Sequence, residues 1–508
     1  MMRITNSMMS TNTKNNININ KLNEDEKNTQ TATGQKISRP SDDPVIAIRA
    51  LRFNTTLSQL NQYHDKNIPD AEAWLQTTET ALSQTDGMYT DILRDLTSGA
   101  SDTNTANDRQ KILANLKGIR AEFYATGNAD YAGRTVFTGY RTGQPLTFLA
   151  TDTDLKSNYL IHEDISLEDV KEMHYVTSAD RTNATVAPKT CEETNVQNGE
   201  LRRIKLAYDG LNETSGTIDI KDKDGNTLVS ATVKSIAGLS QADIDDVYMS
   251  VSDDSKTSHS PAAYFIPETG EIILCKHAAT SLETAEGLSV EYNKNSWTTG
   301  ELRPEHFFAC QKTEGGKTVN YNYNDAGEPD FKNQDIEIEV SFNQKIAINT
   351  HASDVYNHDV GRDIDDLIKA TQDVVDVEEK IKQMEAKLEK AAEADKADVQ
   401  KELDGLNKEY ALKKDNMQKL FSKALDIFNG YADNNNKVIA DIGSMRSRLK
   451  ITKERVSDQL SSFKELADDN ININLSDAAI DLKNAALALE AAQMAAGKIA
   501  QQTLLNYL

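Results

Sequence analysis

Residues 475–508 read LSDAAIDLKNAALALEAAQMAAGKIAQQTLLNYL. Leu475, Leu482, Leu489 and Ala496 recur every seven residues, and Ala478, Ala485, Ala492 and Ile499 follow three behind them. Two apolar rows offset in this way make the seam of a coiled coil. A second row, Ile480, Leu487, Met494 and Leu508, lies on another face. A helix that is apolar on more than one side needs several neighbours, so this end of the chain is expected to be an assembly element. A helix over 476–506 would be on the order of 45 Å long at about 1.5 Å per residue, a length that suits a wall element in a tubular polymer.

Outward from that stretch, the seam alternates with breaks and with a change of period. Asp468-Asp469-Asn470 interrupts an earlier stripe of Ile442, Met445, Leu449, Thr452, Val456, Leu460, Phe463 and Ala467. Before it come the stripe Ile381, Met384, Leu388, Ala391 and the stripe Val399, Leu403, Leu406, Tyr410, Met417, Leu420. The charged stretch 391–398 between those two predicts an antiparallel helical pair bent there. No Gly or Pro forces the bend, so one longer helix is the alternative.

At the other end, residues 1–38 are polar and rich in Asn, a poor helix former. Met8, Ile19 and Leu22 mark one weak helical face, and the segment is expected to be mobile in the free chain and ordered only with partners. In Ser38-Arg39-Pro40-Ser41-Asp42-Asp43-Pro44, Pro40 keeps Arg39 extended. Asp43 is a good N-cap and Pro44 suits the first helical position. The helix that follows carries Phe53, Leu57, Leu60, His64 and Ile68, continued by Ala71, Leu75, Thr78, Leu82, Leu93 and Leu96. Pro69 should interrupt it, and Ser98-Gly99-Ala100-Ser101 should end it. A second helix carries Ile112, Leu116, Ile119 and Phe123, closed by Gly127-Asn128.

From Arg134 the period becomes that of strands, with Arg134–Gly139 read as a strand and 143–145 as a turn. Residues 149–351 read as β-rich. Hairpins are predicted around Asp224-Gly225 and Thr269-Gly270, and Asp335–Asn349 alternates as a half-buried strand does. The fold class is therefore α+β: a long α-helical coiled-coil core built from both chain ends, with a β-rich central insert.

The 508 residues are enough for several domains. Hydrophobic content of 38% and mean hydropathy of -0.59 suit a long helical protein with much exposed surface. A net charge of -24 disfavours nucleic acid and anionic membrane as partners. No apolar run reaches the roughly 20 residues needed to span a bilayer, and no apolar signal core follows Met1, so neither membrane insertion nor a cleaved signal peptide is expected. Cys191, Cys275 and Cys310 are odd in number and far apart, without zinc-like spacing or a disulfide framework.

Catalytic motifs read poorly. His162-Glu163 begins a zinc-protease pattern, but Ser166 stands where the second His belongs. Asp222-Lys223-Asp224-Gly225-Asn226 has some flavour of a calcium loop, with its Gly misplaced and no distal Glu; a hairpin turn is the better reading. Glu378-Glu379 through Glu389 read as a solvated helix face, and Trp74 and Trp297 as packing residues. No catalytic, cofactor-binding or metal residues are expected, and no enzymatic activity.

Three stretches together resemble the flagellin family: Ile4-Thr5-Asn6-Ser7-Met8, then Gly34-Gln35-Lys36-Ile37-Ser38-Arg39-Pro40-Ser41-Asp42-Asp43-Pro44-Val45, then Ala50-Leu51-Arg52. Gly133 to Thr142 and the terminal Ala488 to Leu508 add to the likeness, which covers about 1–148 and 352–508. The resemblance implies domains: 1–40 with 468–508 as a terminal coiled coil, disordered in the monomer; 41–148 with 352–467 as an inner helical domain with a β-hairpin; and 149–351 as an outer variable domain. Residues 377–418 look like a helical-hairpin insertion into the inner domain.

The resemblance also implies a structural subunit of the bacterial flagellum that joins hook to filament. Such a subunit is exported out of the cell by the flagellar type III route, without a cleaved signal peptide. Its implied partners are the first hook-associated protein, flagellin, further copies of itself in a helical ring, and an export chaperone. The implied assembly interface is Pro40, Ser41, Asp42, Asp43 and Pro44 with Leu475, Leu482, Leu489, Ile499, Leu504, Leu505 and Leu508. A filament flagellin, or a flagellin-like protein with a binding or hydrolase outer domain, is the alternative.

Overall fold

The computed structural model describes residues 6–102, 104–180, 191–213, 215–252, 262–283, 285, 287–324, 327–330 and 335–505, with only the backbone of residue 6 and residues 499–505. It separates into two compact units: Met1–Glu72, Ile338–Ile346 and Arg446–Leu508 form unit 1, and Ala73–Glu337 and Ala347–Met445 form unit 2.

In chain order, helices α1 (Asn6–Thr33), α2 (Pro44–Gln62), α3 (Ile68–Gly99) and α4 (Ala106–Thr126) come first. The short pair β1 (Asp130–Tyr131) and β2 (Arg134–Thr135) follows. The β-rich part then runs through β3 (Asn158–Ile165), β4 (Lys171–Val176), β5 (Asn198–Lys205), β6 (Thr217–Asp222), β7 (Thr227–Val233), α5 (Gln241–Ser252), β8 (Ala263–Ile266), β9 (Glu271–Leu274), α6 (Lys276–Leu282), β10 (Leu288–Lys294), β11 (Ala309–Glu314), β12 (Lys317–Tyr321), β13 (Glu337–Ser341) and β14 (Gln344–Ala347). Helices α7 (His358–Lys390), α8 (Lys396–Ile471) and α9 (Leu475–Leu505) close the chain. The order helix, β, helix is the α+β arrangement that the sequence predicts.

In unit 1, α1 lies antiparallel to α9. The Asn20 amide reaches the Ala488 carbonyl at 3.4 Å, and the Thr31 hydroxyl reaches that of Ala478 at 3.5 Å. The asparagine run lies within α1: its low helix propensity is outweighed by packing on a partner, the usual source of helical stability in proteins. Gly34 ends α1 with a φ of 72°, the left-handed C-cap geometry that glycine adopts without strain. The chain crossing is fastened by Lys36 N–H to the Ile471 carbonyl at 2.7 Å and Ile473 N–H to the Gly34 carbonyl at 3.0 Å.

Pro69 interrupts its helix by a widened turn. Tyr63–Asn67 form a π-turn, and the Ile68 N–H donates to the Tyr63 carbonyl. Proline offers no N–H and its ring crowds the carbonyl four residues back, so the preceding turn takes one residue more. The stretch read as a single strand over 335–349 is a hairpin, β13 and β14, turned at Asn343 with a φ of 55°. Asparagine tolerates that left-handed conformation, and alternation alone did not reveal the reversal. Glu339 of the hairpin accepts from the Tyr63 hydroxyl at 3.0 Å, and its carbonyl from the Asn67 amide at 2.7 Å. The strand expected over 134–139 is confined to Arg134–Thr135, paired with β1.

In unit 2 a sheet of ten described strands runs β12-β11-β3-β10-β6-β7-β8-β9-β5-β4. Its neighbours are antiparallel except β7 and β8, the pair whose connection carries α5, as a parallel pair requires. Both predicted hairpins are present, as β6–β7 and β8–β9. Gly270 turns the second with a φ of 64°, and a Cβ built there would meet the Tyr208 carbonyl oxygen at 2.0 Å. Gly270→Ala should therefore cost at least about 2 kcal/mol, left-handed strain plus a backbone displacement. Urea unfolding followed by tryptophan fluorescence checks this, because both tryptophans of the chain, Trp74 and Trp297, lie in unit 2. A loss under 0.5 kcal/mol would contradict the close approach.

The helical part of unit 2 packs around Tyr89, Phe123, Phe137 and Tyr356, all buried. Their rings meet edge to face, with centroids 5.0–5.7 Å apart. Helices α7 and α8 break at 391–395, and Lys387 of α7 meets Glu402 of α8 at 3.1 Å. Leu406 of α8 packs in a buried cluster with Val176, Ala179, Cys191 and Val196, against which Ile381, Met384 and Leu412 rest. One expectation fails on this element. Glu378 is not solvated; it pairs with Arg109, whose side chain is 4% exposed, and Tyr410 donates to the same carboxylate. A buried guanidinium requires a counter-charge.

Candidate assembly surface

The Pro40–Pro44 segment is a cap built in two steps. Asp42 accepts from the backbone N–H of Arg39 at 2.8 Å and of Ser38 at 3.1 Å. Asp43 is the N-cap of α2, accepting from Val45 N–H at 2.8 Å and Ile46 N–H at 3.2 Å, with Pro44 in the first turn. The prolines supply fixed φ angles and the aspartates satisfy N–H groups that a helix start leaves unpaired. Pro40, Ser41, Asp42 and Pro44 are exposed. Just beyond them Val45, Ile48 and Leu51 stand out of α2 at 57%, 53% and 67% exposure. The sequence reading missed this row, although its spacing of three, directly after the cap, is visible in the chain.

Along α9 the seam divides as its heptads require. Ala478, Leu482, Ala485, Leu489, Ala492 and Ala496 are shielded, with Ala486 beside them, and Ala485 is buried. On α1 the shielded positions include Thr13, Ile17, Asn20, Glu24, Lys27 and Thr31, which step by four and three. The α1 side of the seam is therefore mostly polar, and Lys27 reaches Asp481 at 3.9 Å. An exposed pair of this kind contributes little, so the α1–α9 pairing rests on one modestly apolar helix face.

The other apolar row of α9, Ile480, Leu487 and Met494, is exposed at 58%, 54% and 59%. Leu475 heads its row but is itself exposed. Of the remaining expected interface residues, Ile499, Leu504 and Leu505 lie on α9 with their side chains outside the described part, and Leu508 lies outside the described residues. Met8, Ile19 and Leu22 of α1 are exposed as well. The structure thus brings Leu482 and Leu489 together with α1, leaves Leu475, Pro40, Ser41, Asp42 and Pro44 facing solvent, and half-buries Asp43.

The chemical alternatives fare differently. His162 and Glu163 lie on β3, a strand, where a zinc-binding helical pair has no place. Glu163 points into the core and accepts from Ala207 N–H and from the Tyr292 hydroxyl; burial raises its pKa. Asp222 closes the β6–β7 turn by accepting from Asp224 N–H at 2.9 Å and Asn226 N–H at 2.8 Å. Among the described residues no group of three His, Cys, Asp or Glu could hold a metal, and no helix is long and apolar enough to cross a membrane. The three cysteines are free and buried.

Residues 4–142 match the family model described as the bacterial flagellin N-terminal helical region. Among curated proteins, the chain is 29% identical over 114 residues to the flagellar hook-associated protein 3 of Salmonella typhimurium, covering 22% of this chain and 36% of that one. It is 27% identical over 114 residues to the protein of the same name from Escherichia coli, with the same coverage. The chain thus matches only about a third of the length of these relatives. A solved structure of a putative flagellar hook-associated protein from Vibrio parahaemolyticus aligns with 85% of this chain and all of its own, at 12% identity and a TM-score of 0.34. The match to the flagellin N-terminal helical region spans α1 to α4 and the β1–β2 pair of this chain.

Proposed function

We propose that this protein is a structural subunit of the bacterial flagellum, seated where hook meets filament and assembled through its terminal helices. The observation that carries the reading is the α1–α9 pair. It joins the two chain ends, one of them within the flagellin-type region, and it leaves a further apolar row uncovered. The names of the two curated relatives support the hook-associated position. An apolar row that no described part of its own chain covers is stabilised by burial between copies at about 25 cal/mol per Å2, and a repeated contact that does not close on itself builds a helical ring or tube.

On this reading the partners are further copies of the chain, the first hook-associated protein below, flagellin above and a chaperone before export. The protein works outside the cell and catalyses nothing. Deleting residues 476–508 should leave a folded unit 2 and abolish filament attachment, scored by motility and by electron microscopy of cells carrying the truncated gene. Normal filaments on those cells would end the proposal. Long tubes grown from purified, seeded protein would instead make the chain a filament flagellin.

A further inference from the structure

Inside unit 2, segments 152–159 and 303–312 carry five buried polar atoms without a protein partner among the described residues. These atoms are Ser157 Oγ, Tyr159 Oη, Arg303 Nε, Glu305 Oε2 and His306 Nε2. Every one of the five side chains is nine-tenths buried or more, from 0% exposed for Tyr159 to 7% for His306. Arg303 and Glu305 share one ion-pair network, and its charges act on Tyr159 and His306. Arg303 pairs with Asp152 at 2.6 Å, Glu305 at 3.3 Å and Asp154 at 3.5 Å, and Lys312 meets Asp154 at 2.7 Å. Arg141 donates to the Glu305 carbonyl.

The unpaired atoms are chemically unlike one another. Arg303 Nε can only donate, and a Glu305 carboxylate oxygen can only accept. His306 donates from its other ring nitrogen to the Pro145 carbonyl; burial, with Arg141 and Arg303 nearby, holds its pKa down to about 3. Its ring is therefore neutral at pH 7, and Nε2 accepts. The tyrosine and serine hydroxyls do either. Native interiors seldom leave such groups unmet, and a small molecule that both donates and accepts meets them together. A metal cation does not suit a group that already holds Arg141, Arg303 and Lys312, and no metal-ligating cluster is present among the described residues.

We propose that this core binds internal water, with Tyr159 Oη and Arg303 Nε donating to it and Glu305 Oε2 and His306 Nε2 accepting from it. The site is independent of flagellar assembly and concerns the β-rich part alone. The test is a crystal structure of the full chain at a resolution that shows ordered solvent, paired with oxygen-17 water relaxation of the wild type and of Tyr159→Phe. A solvent oxygen within hydrogen-bond reach of at least two of these atoms is expected, with a long-lived water signal that falls in the variant. Direct pairing of Tyr159 with Glu305 and no solvent oxygen between them overturns the inference. So does a relaxation signal equal in the two proteins.

Discussion

Replacing Asp366 with alanine should destabilise unit 2 by about 3–5 kcal/mol, the range seen when one partner of a buried ion pair is removed. Asp366 sits in the third turn of α7 and is met by Arg203 at 2.5 Å and Lys205 at 2.5 Å, both from β5. All three side chains are 11–14% exposed. Burial alone would raise the Asp366 carboxyl, but the Arg203 and Lys205 charges pull it well below the usual carboxylate range. Without it Arg203 keeps Glu271 at 2.9 Å, while the Lys205 ammonium is left with the Arg362 carbonyl.

The pH dependence follows from the sign of that shift. A carboxyl depressed in the folded state adds stability above its unfolded value, about 3.9, and loses it as pH falls toward the folded one. The gap between wild type and variant should therefore be constant from about pH 7 to 5 and shrink below about pH 4. Urea unfolding read at the two tryptophans measures it. Glu393→Ala, which breaks an exposed pair with Lys396, serves as the control and should change stability by less than about 0.5 kcal/mol. An Asp366→Ala loss no larger than the control would show that this joint between α7 and the sheet does not hold the unit together.

Turning Ile480, Leu487 and Met494 together into serine should leave the isolated protein as stable as before and stop it from assembling. Each of the three is more than half exposed in the single chain, so the substitutions remove little that the fold uses. If neighbouring copies cover the row, each side chain contributes roughly 2 kcal/mol on burial. Losing three would weaken a subunit contact by about 6 kcal/mol, roughly 10⁴-fold. Circular dichroism of the purified variant and filament counts on cells separate the two effects. The shielded face gives the opposite pattern, because Leu482→Ala with Leu489→Ala should loosen α1 from α9 in the isolated chain. Normal filaments from the triple variant would show that this row faces solvent in the assembly, and a destabilised monomer would show that it belongs to the fold.

Much of the architecture is legible in the residues because it depends on neighbours in the chain. The Asp43-Pro44 cap, the Asp224-Gly225 and Thr269-Gly270 turns, the break after α3 and the heptads of α9 are local, and each appears where its spacing puts it. The reversal at Asn343 was not legible, since a strand and a tight hairpin share one alternating pattern. Nor was the pairing of Glu378 with Arg109, because the two come together only when α7 packs on α4. On the assembly surface the α9 rows could be read, but which of them α1 would cover could not. Apart from Ile17, the α1 positions that do so are threonine, asparagine, glutamate and lysine, which no apolar pattern marks.

By itself, then, the sequence determined the helix–β–helix order, the caps and turns, and a C-terminal helix with more apolar surface than one partner can hide. Those are consequences of backbone geometry and periodicity over a few residues. Only the tertiary structure decided that Leu482 and Leu489 turn toward α1 while Ile480, Leu487 and Met494 face out, and that a charged joint of Arg203, Lys205 and Asp366 fixes α7 to the sheet. Which face is buried, and which charge finds a counter-charge, depends on segments hundreds of residues apart meeting in space.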